Sequence, residues 1–512
     1  MKHSVNISTT RSFTFVHYVW KETSNRNFLL WGFGISILQF IIFKLLYPFP
    51  DFFSDSYSYL FAAYAHLDVN IWPIGYSKFL SIFHQLTWSD TALIATQYFL
   101  MQFAALYFFF TILYLFDISK NTQKILFIFF FINPLTLYLC NTVNSDALFG
   151  SISLIWFTQL VWIIQRPRIY QVFVQAILLF LCFTVRNNAY YYPVIAIIAF
   201  FLSGQSLKVK LLGTILPFLL IVPFIIHTRN EAYKLTGVRQ FSFFTGWQLA
   251  NNALYIYDQI EIDTMTLPTP EARRFNQTTI PFFKHIRPEV YRNYLETFEG
   301  NFFLRDAQSP MKEYFKNNYT FRTEMDIVRN WGKASAAFEA FGKVIILHHP
   351  FAYIRYFIWP NIGHYFMPPL LHLELYNYGA NDIDPIAKHW FHYRTNRIHC
   401  ISHSLQGFLI IYKAFFLLFN VFFLWQIVQY VKKIRPLFIR GNSFFWLSTA
   451  FLFCNFWFSV FATVNIIRYQ YIPMFILLTF GLLIEAFLKK LDRSKEISAP
   501  VSQNNQLSYE HK

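Results

Sequence analysis

Apolar stretches recur along the 512-residue chain at lengths near the roughly 20 residues an α-helix needs to cross a bilayer core. Ten are legible, near 28–48, 92–116, 125–140, 147–165, 170–185, 190–203, 211–227, 406–430, 444–464 and 471–488. Two polar segments stand apart from them, 49–90 after the first stretch and 228–405 before the last three. The pattern predicts an all-α integral membrane protein of roughly ten transmembrane helices with a mainly helical extramembrane region. Within 228–405, helical patches are expected around 289–300 and 325–347, and prolines at 268, 270, 281 and 288 break longer helices. The apolar stretch 344–372 is interrupted by His, Arg and Pro and reads as an interfacial helix, the alternative being a re-entrant pair.

Composition agrees with this class. The chain is 55% hydrophobic and 14% charged, against about 25% charged in an average soluble protein. Lysines and arginines mark one face of the membrane: Lys120 and Lys124, Arg166 and Arg168, Lys208 and Lys210, Lys432, Lys433, Arg435 and Arg440, then Lys489, Lys490, Arg493 and Lys495. With ten spans these all fall on the side of the N-terminus, which is then cytoplasmic. The expected layout is a cytoplasmic N-terminus over 1–27, a transmembrane core over 28–227 with its outer amphipathic loop 49–90, and an extracytoplasmic region over 228–405. C-terminal spans over 406–488 and a cytoplasmic tail over 489–512 complete it. The formal charge of +16 follows from this topology and a basic outer region, so nucleic-acid binding is not expected. Residues 1–27 lack a signal-peptide pattern, so the first span reads as a retained anchor. Cys140, Cys182 and Cys454 fall in spans and Cys400 stands alone, which leaves no disulfide framework.

The candidate chemistry lies in charges that interrupt this pattern. Asp51 and Asp55 follow the first span, and a helical turn there would put both on one face, as catalytic acids or as caps of a surface helix. Tyr57 and Tyr59 add interface-seeking rings beside them. Arg186 and Arg468 sit at the outer ends of the fifth and ninth spans counted from the loop pattern, against the orientation rule. A guanidinium fork suits phosphate oxygens; the alternative is snorkelling to lipid headgroups. Asp146 opens the fourth span, as an N-cap, a partner for a catalytic cation, or a ligand for Mg or Mn. His389, His392, His399 and His403 mimic metal spacing, but no His-Glu-x-x-His pattern accompanies them.

These positions resemble the GT-C glycosyltransferases, in particular bacterial relatives of the protein O-mannosyltransferases and the lipid A aminoarabinose transferase. The likeness rests on Asp55 through Tyr59 with Pro73-Ile74-Gly75-Tyr76, on Asp146, on Arg186-Asn187-Asn188-Ala189, and on Arg468-Tyr469 before Pro473. The run Gly246 to Tyr255 and His349-Pro350 before Tyr353 add to it, while the adjacent Asp-Glu pair of the protein mannosyltransferases is missing. The resemblance implies an inverting enzyme of a bacterial cytoplasmic membrane, active on its outer face. It would take a sugar from a polyprenyl-phosphate donor to a glycan, lipid or protein acceptor. Asp55, with Asp51, would be catalytic. Arg186, Arg468, Tyr469, Tyr57 and Tyr59 would hold lipid phosphate and sugar, and Asn251 and Asn252 would contact the acceptor. Two other classes compete: a lipid-linked polysaccharide polymerase or ligase, which would not need Asp55, and a transporter or flippase, which would place ionisable groups near mid-span.

Overall fold

A computed structural model describes residues 11, 13–285, 300–434, 443–462 and 464–498. Among them helices are the regular secondary structure, with isolated bridges Asp51–Thr142 and Asp382–Arg397 in place of strands. Among the described residues, eight helices are long and apolar enough to cross a membrane: Thr23–Leu46, Asp90–Leu115, Lys120–Cys140, Ser145–Gln165, Leu207–Thr236, Leu405–Lys433, Ser443–Ala462 and Ile467–Ser494. The described residues therefore fit an all-α, multi-pass membrane protein by the length and composition of their helices.

The count differs from ten at the fifth and sixth stretches. These form two shorter apolar helices, Tyr170–Val185 and Asn187–Leu202. Sixteen residues span about 24 Å at 1.5 Å each, short of a typical core of about 30 Å. The break falls at Arg186, whose backbone is extended at φ −150°, ψ 145°. A second interruption divides the third span. Asn133 accepts a hydrogen bond from the Leu135 N–H through Oδ1 at 3.2 Å, and Pro134 opens a new helix to Cys140.

Two polar insertions leave the bundle at one end. The first holds the helices Ser54–Tyr64 and Gly75–His84. Gly75 allows the second of these to seat against the end of Tyr170–Val185, since a Cβ there would lie 2.7 Å from the Thr184 backbone. The other insertion follows Leu207–Thr236 and is built on the helix Thr245–Leu254 packed along Glu324–His348. Gly246 makes that approach possible, as a Cβ would fall 1.8 Å from the Ser335 carbonyl oxygen. Trp247 stacks on Trp331 with centroids 3.9 Å apart, and a capping box of Thr323 and Asp326 starts the longer helix.

Beyond His349-Pro350 the chain continues helically to Phe366 through a π-turn at Ile354–Ile358. This piece packs on the helices Ile411–Lys433 and Ser443–Ala462, where the Asn361 amide donates to the Val460 carbonyl at 2.9 Å. Large apolar side chains are exposed on it, Phe351, Ile354 and Trp359, with Leu347 just before the break, and Arg355 among them. The patch expected over 325–347 lies within the helix Glu324–His348. That expected over 289–300 falls almost wholly outside the described residues, as do Arg435, Arg440 and the ends of both tails.

Candidate active site

The site begins with a backbone contact. Residues 51–53 are extended after the first span, and the Asp51 N–H donates to the Asn141 carbonyl at 2.8 Å while its own carbonyl accepts from Val143 at 3.1 Å. This pins the first insertion to the turn between the third and fourth spans. The helix Ser54–Tyr64 thus starts beside the helix Ser145–Gln165, and the Tyr59 hydroxyl hydrogen-bonds Ser145 Oγ at 3.0 Å. Asp55 and Asp146 both occupy first helical turns, where the partial positive charge of a helix N-terminus favours a carboxylate. Arg186 follows the C-terminus of Tyr170–Val185, and Arg468 lies in the 3₁₀ turn Ile467–Gln470 that leads into the last span.

Four elements remote in sequence so bring two acids and two arginines together. Arg186 Nη1 pairs with Asp146 Oδ1, and Arg468 Nη1 with Asp146 Oδ2 at 3.0 Å. Arg468 Nη2 reaches Asp55 Oδ2 at 3.5 Å. The Tyr469 ring serves both cations, with Arg186 4.5 Å and Arg468 5.0 Å from its centroid, and its hydroxyl accepts from Arg468 Nη2 at 3.3 Å. The Arg468 side chain is 4% exposed and that of Asp146 5%, so the pair is withdrawn from water, while Asp55 keeps 19%. Burial raises the Asp55 pKa above the ordinary 3.8, outweighing the nearby Arg468 charge that pulls it down.

A cavity of about 490 Å³ opens onto Asp55, Arg468 and Tyr469. Most of the rest of its wall comes from both insertions, including Trp72, Gln248, Lys312, Trp331, His372 and Tyr378, with Val464 and Ile466 from the turn before the last span. A smaller pocket of about 30 Å³ shares Arg468 and Tyr469 with it and is lined by Asp146, Arg186, Phe149, Tyr191 and Pro473. His372 is held neutral, its pKa pushed down to about 3 by burial and by the Arg468 and Arg305 charges.

The structure brings together Asp55, Asp146, Arg186, Arg468 and Tyr469, keeps Tyr59 beside them through Ser145, and separates them from the other candidates. Asp51 shares no helical face with Asp55, because the helix starts only at Ser54. Its carboxylate is turned elsewhere and accepts from the Asn377 N–H at 2.8 Å. Asn377 and Tyr378 have φ of 46° and 54°, a left-handed conformation that side chains resist. Asp51 thereby fixes the turn that carries Tyr378 into the cavity wall, which makes it a positioning residue. Tyr57 stacks on Phe52 at 5.9 Å outside the cavity lining, and Tyr59 is buried behind it.

Asn251 and Asn252 are buried ties instead of cavity contacts. The Asn251 amide donates to the Gly300 carbonyl at 2.8 Å, and the Asn252 amide to the Tyr353 hydroxyl at 3.3 Å. Gln248, one helical turn earlier and bonded to Asn252 Oδ1 at 2.8 Å, faces the cavity in their place. Asp146 engages an arginine with each carboxylate oxygen, and two adjacent guanidinium cations do not fit a divalent ion at that position. Among the described residues no three His, Cys, Asp or Glu side chains converge as metal ligands. The late histidines serve apart: His392 stacks on Trp88 at 4.4 Å, His389 meets Tyr64, His399 meets Phe49, and His403 hydrogen-bonds Asn381.

Lys312, Trp331 and Gln248 escaped the sequence reading, and only their place in the basic, aromatic-rich segment 228–405 gave any signal. No family model, curated protein or solved structure matches the chain.

Proposed function

We propose that the protein is an inverting glycosyltransferase that moves a sugar from a polyprenyl-phosphate donor to an acceptor hydroxyl. The observation that supports this reading best is the Asp55–Arg468–Asp146–Arg186 cluster, a raised-pKa carboxylate beside paired guanidinium groups at the mouth of a cavity. Asp55 takes the proton of the acceptor hydroxyl as its oxygen attacks the anomeric carbon. The anomeric C–O bond to phosphate breaks on the opposite face, and the lipid phosphate leaves with the electron pair. In-line displacement inverts the configuration. A base whose pKa lies nearer the working pH abstracts a proton more effectively than an ordinary carboxylate.

Arg468 and Arg186 stabilise the charge that develops on the leaving phosphate, often the largest contribution in such sites. Asp146 holds both forks in place before the donor arrives, so little reorganisation is needed during the reaction. The lysine-rich loops lie at the opposite end of the bundle from these arginines, which supports a site at the outer face, and the family resemblance adds a bacterial cytoplasmic membrane to this reading.

The test is release of polyprenyl phosphate from a labelled polyprenyl-phosphate sugar, by wild type and Asp55→Asn in lipid, with a cell-envelope acceptor mixture. Release by wild type alone, with both proteins folded, is the expected result. Equal release by both removes Asp55 as the base and favours a polymerase or ligase. Solute uptake without release identifies a transporter.

A further inference from the structure

The cavity wall away from the charged cluster has a chemistry that the transfer step does not use. Lys312 projects its ammonium over two indole rings, 4.9 Å from the Trp331 centroid and 5.3 Å from that of Trp247. It pairs with no carboxylate among the described residues, and burial lowers its pKa. A half-buried cation facing a cavity without a counter-ion is suited to an anion brought by a ligand.

Gln248 and Asn301 add side-chain amides to the same wall. Amides, which both give and accept hydrogen bonds, beside the indoles of Trp72 and Trp331 suit a sugar ring, whose hydroxyls do the same while its C–H face lies on an aromatic surface.

We infer that this wall binds the acceptor, and that the acceptor is a saccharide carrying an anionic group, phosphate or carboxylate, which pairs with Lys312. The inference rests on the transferase reading for the word acceptor, but the binding site itself is tested without turnover. Full-length protein in phosphatidylcholine nanodiscs is titrated with methyl glucoside, glucuronate, glucose 6-phosphate and inorganic phosphate, followed by tryptophan fluorescence.

At least one anionic sugar binds about tenfold or more tightly than methyl glucoside, and the stronger of the two identifies the group. Lys312→Gln removes that preference and Lys312→Arg retains it, which separates lost charge from lost fold. The inference is overturned by equal affinity for charged and neutral sugars, by no binding up to about 10 mM, or by a preference that survives in Lys312→Gln. Inorganic phosphate binding as tightly as the anionic sugar also overturns it, because the site then reads a free anion. Because no donor is present, failure of lipid-phosphate release leaves this result standing, and a failed titration leaves the transfer chemistry untouched.

Discussion

The two ends of the helix bundle both carry cations, and they hold them in opposite ways. At the end marked by lysine-rich loops, Lys433 meets Asp492 at 2.6 Å with 34% and 47% of the side chains exposed, and Lys490 meets Asp117 at 3.7 Å with 48% and 69% exposed. At the other end Arg468 and Asp146 are almost wholly enclosed, and Arg186 shares the same carboxylate. Exposed pairs contribute about 0–1 kcal/mol, because water and salt already satisfy both partners. Enclosed charges cost several kcal/mol each to desolvate, and a well-packed apolar substitute is often no less stable. Topology accounts for the first set. A buried set that lines a cavity is better explained by a ligand.

The largest difference between the ends is expected in chemistry. Asp55→Asn lowers lipid-phosphate release by about 10³-fold, in the middle of the range for losing a general base. Its melting temperature stays at or above that of wild type, because a carboxyl whose pKa is already raised by burial gains little from being charged. Arg468→Gln comes next. Release falls by about 10²-fold, and unfolding free energy falls by about 3–5 kcal/mol, since Asp146 and Asp55 lose a shared cation in a dry site. Adding Asp146→Asn to that variant lowers stability further, because Arg186 then loses the carboxylate it pairs with, and restores none of the release.

A smaller effect separates the two aspartates of the first insertion. Burial raises the Asp51 pKa to about 7 from 3.8, against the Asn377 N–H that lowers it. The folded state therefore binds the extra proton between these values, so stability present below pH 3.8 is lost as the pH rises towards about 7. Thermal unfolding across this interval shows that loss in wild type and a flatter profile in Asp51→Asn. The smallest effect is at the opposite end: Lys433→Gln changes stability by at most about 1 kcal/mol and leaves release unchanged.

Much of this arrangement was legible in the chain. Apolar runs located the long helices because their length alone answers to bilayer thickness. Asp55, Asp146, Arg186 and Arg468 stood out because charges at those positions oppose the surrounding pattern, and the structure places all four in one cluster. Asp51 was misread because a four-residue spacing puts side chains on one face only inside a helix. Pairing with Asn141 and Val143, far along the chain, makes residues 51–53 extended instead. Arg186, with the asparagines after it, divides two helices too short to match the others, a break that mean apolarity does not register. On the helix Thr245–Leu254, Gln248 and Asn252 lie four apart and bond each other, so which one meets the cavity depended on packing against Glu324–His348. Lys312 and Trp331 carried no local signal, since their meaning comes only from the cavity they share with Asp55.

The most direct measurement follows polyprenyl phosphate binding and donor turnover together, in nanodiscs, for wild type, Asp55→Asn and Arg468→Lys. Asp55→Asn is expected to bind the lipid phosphate as wild type does and to turn over about 10³-fold more slowly. Arg468→Lys is expected to lose at least about tenfold in binding, because a lysine cannot reproduce the guanidinium fork. Wild-type turnover in Asp55→Asn, or wild-type lipid-phosphate affinity in Arg468→Lys, would contradict a lipid-phosphate transferase site at the buried cluster.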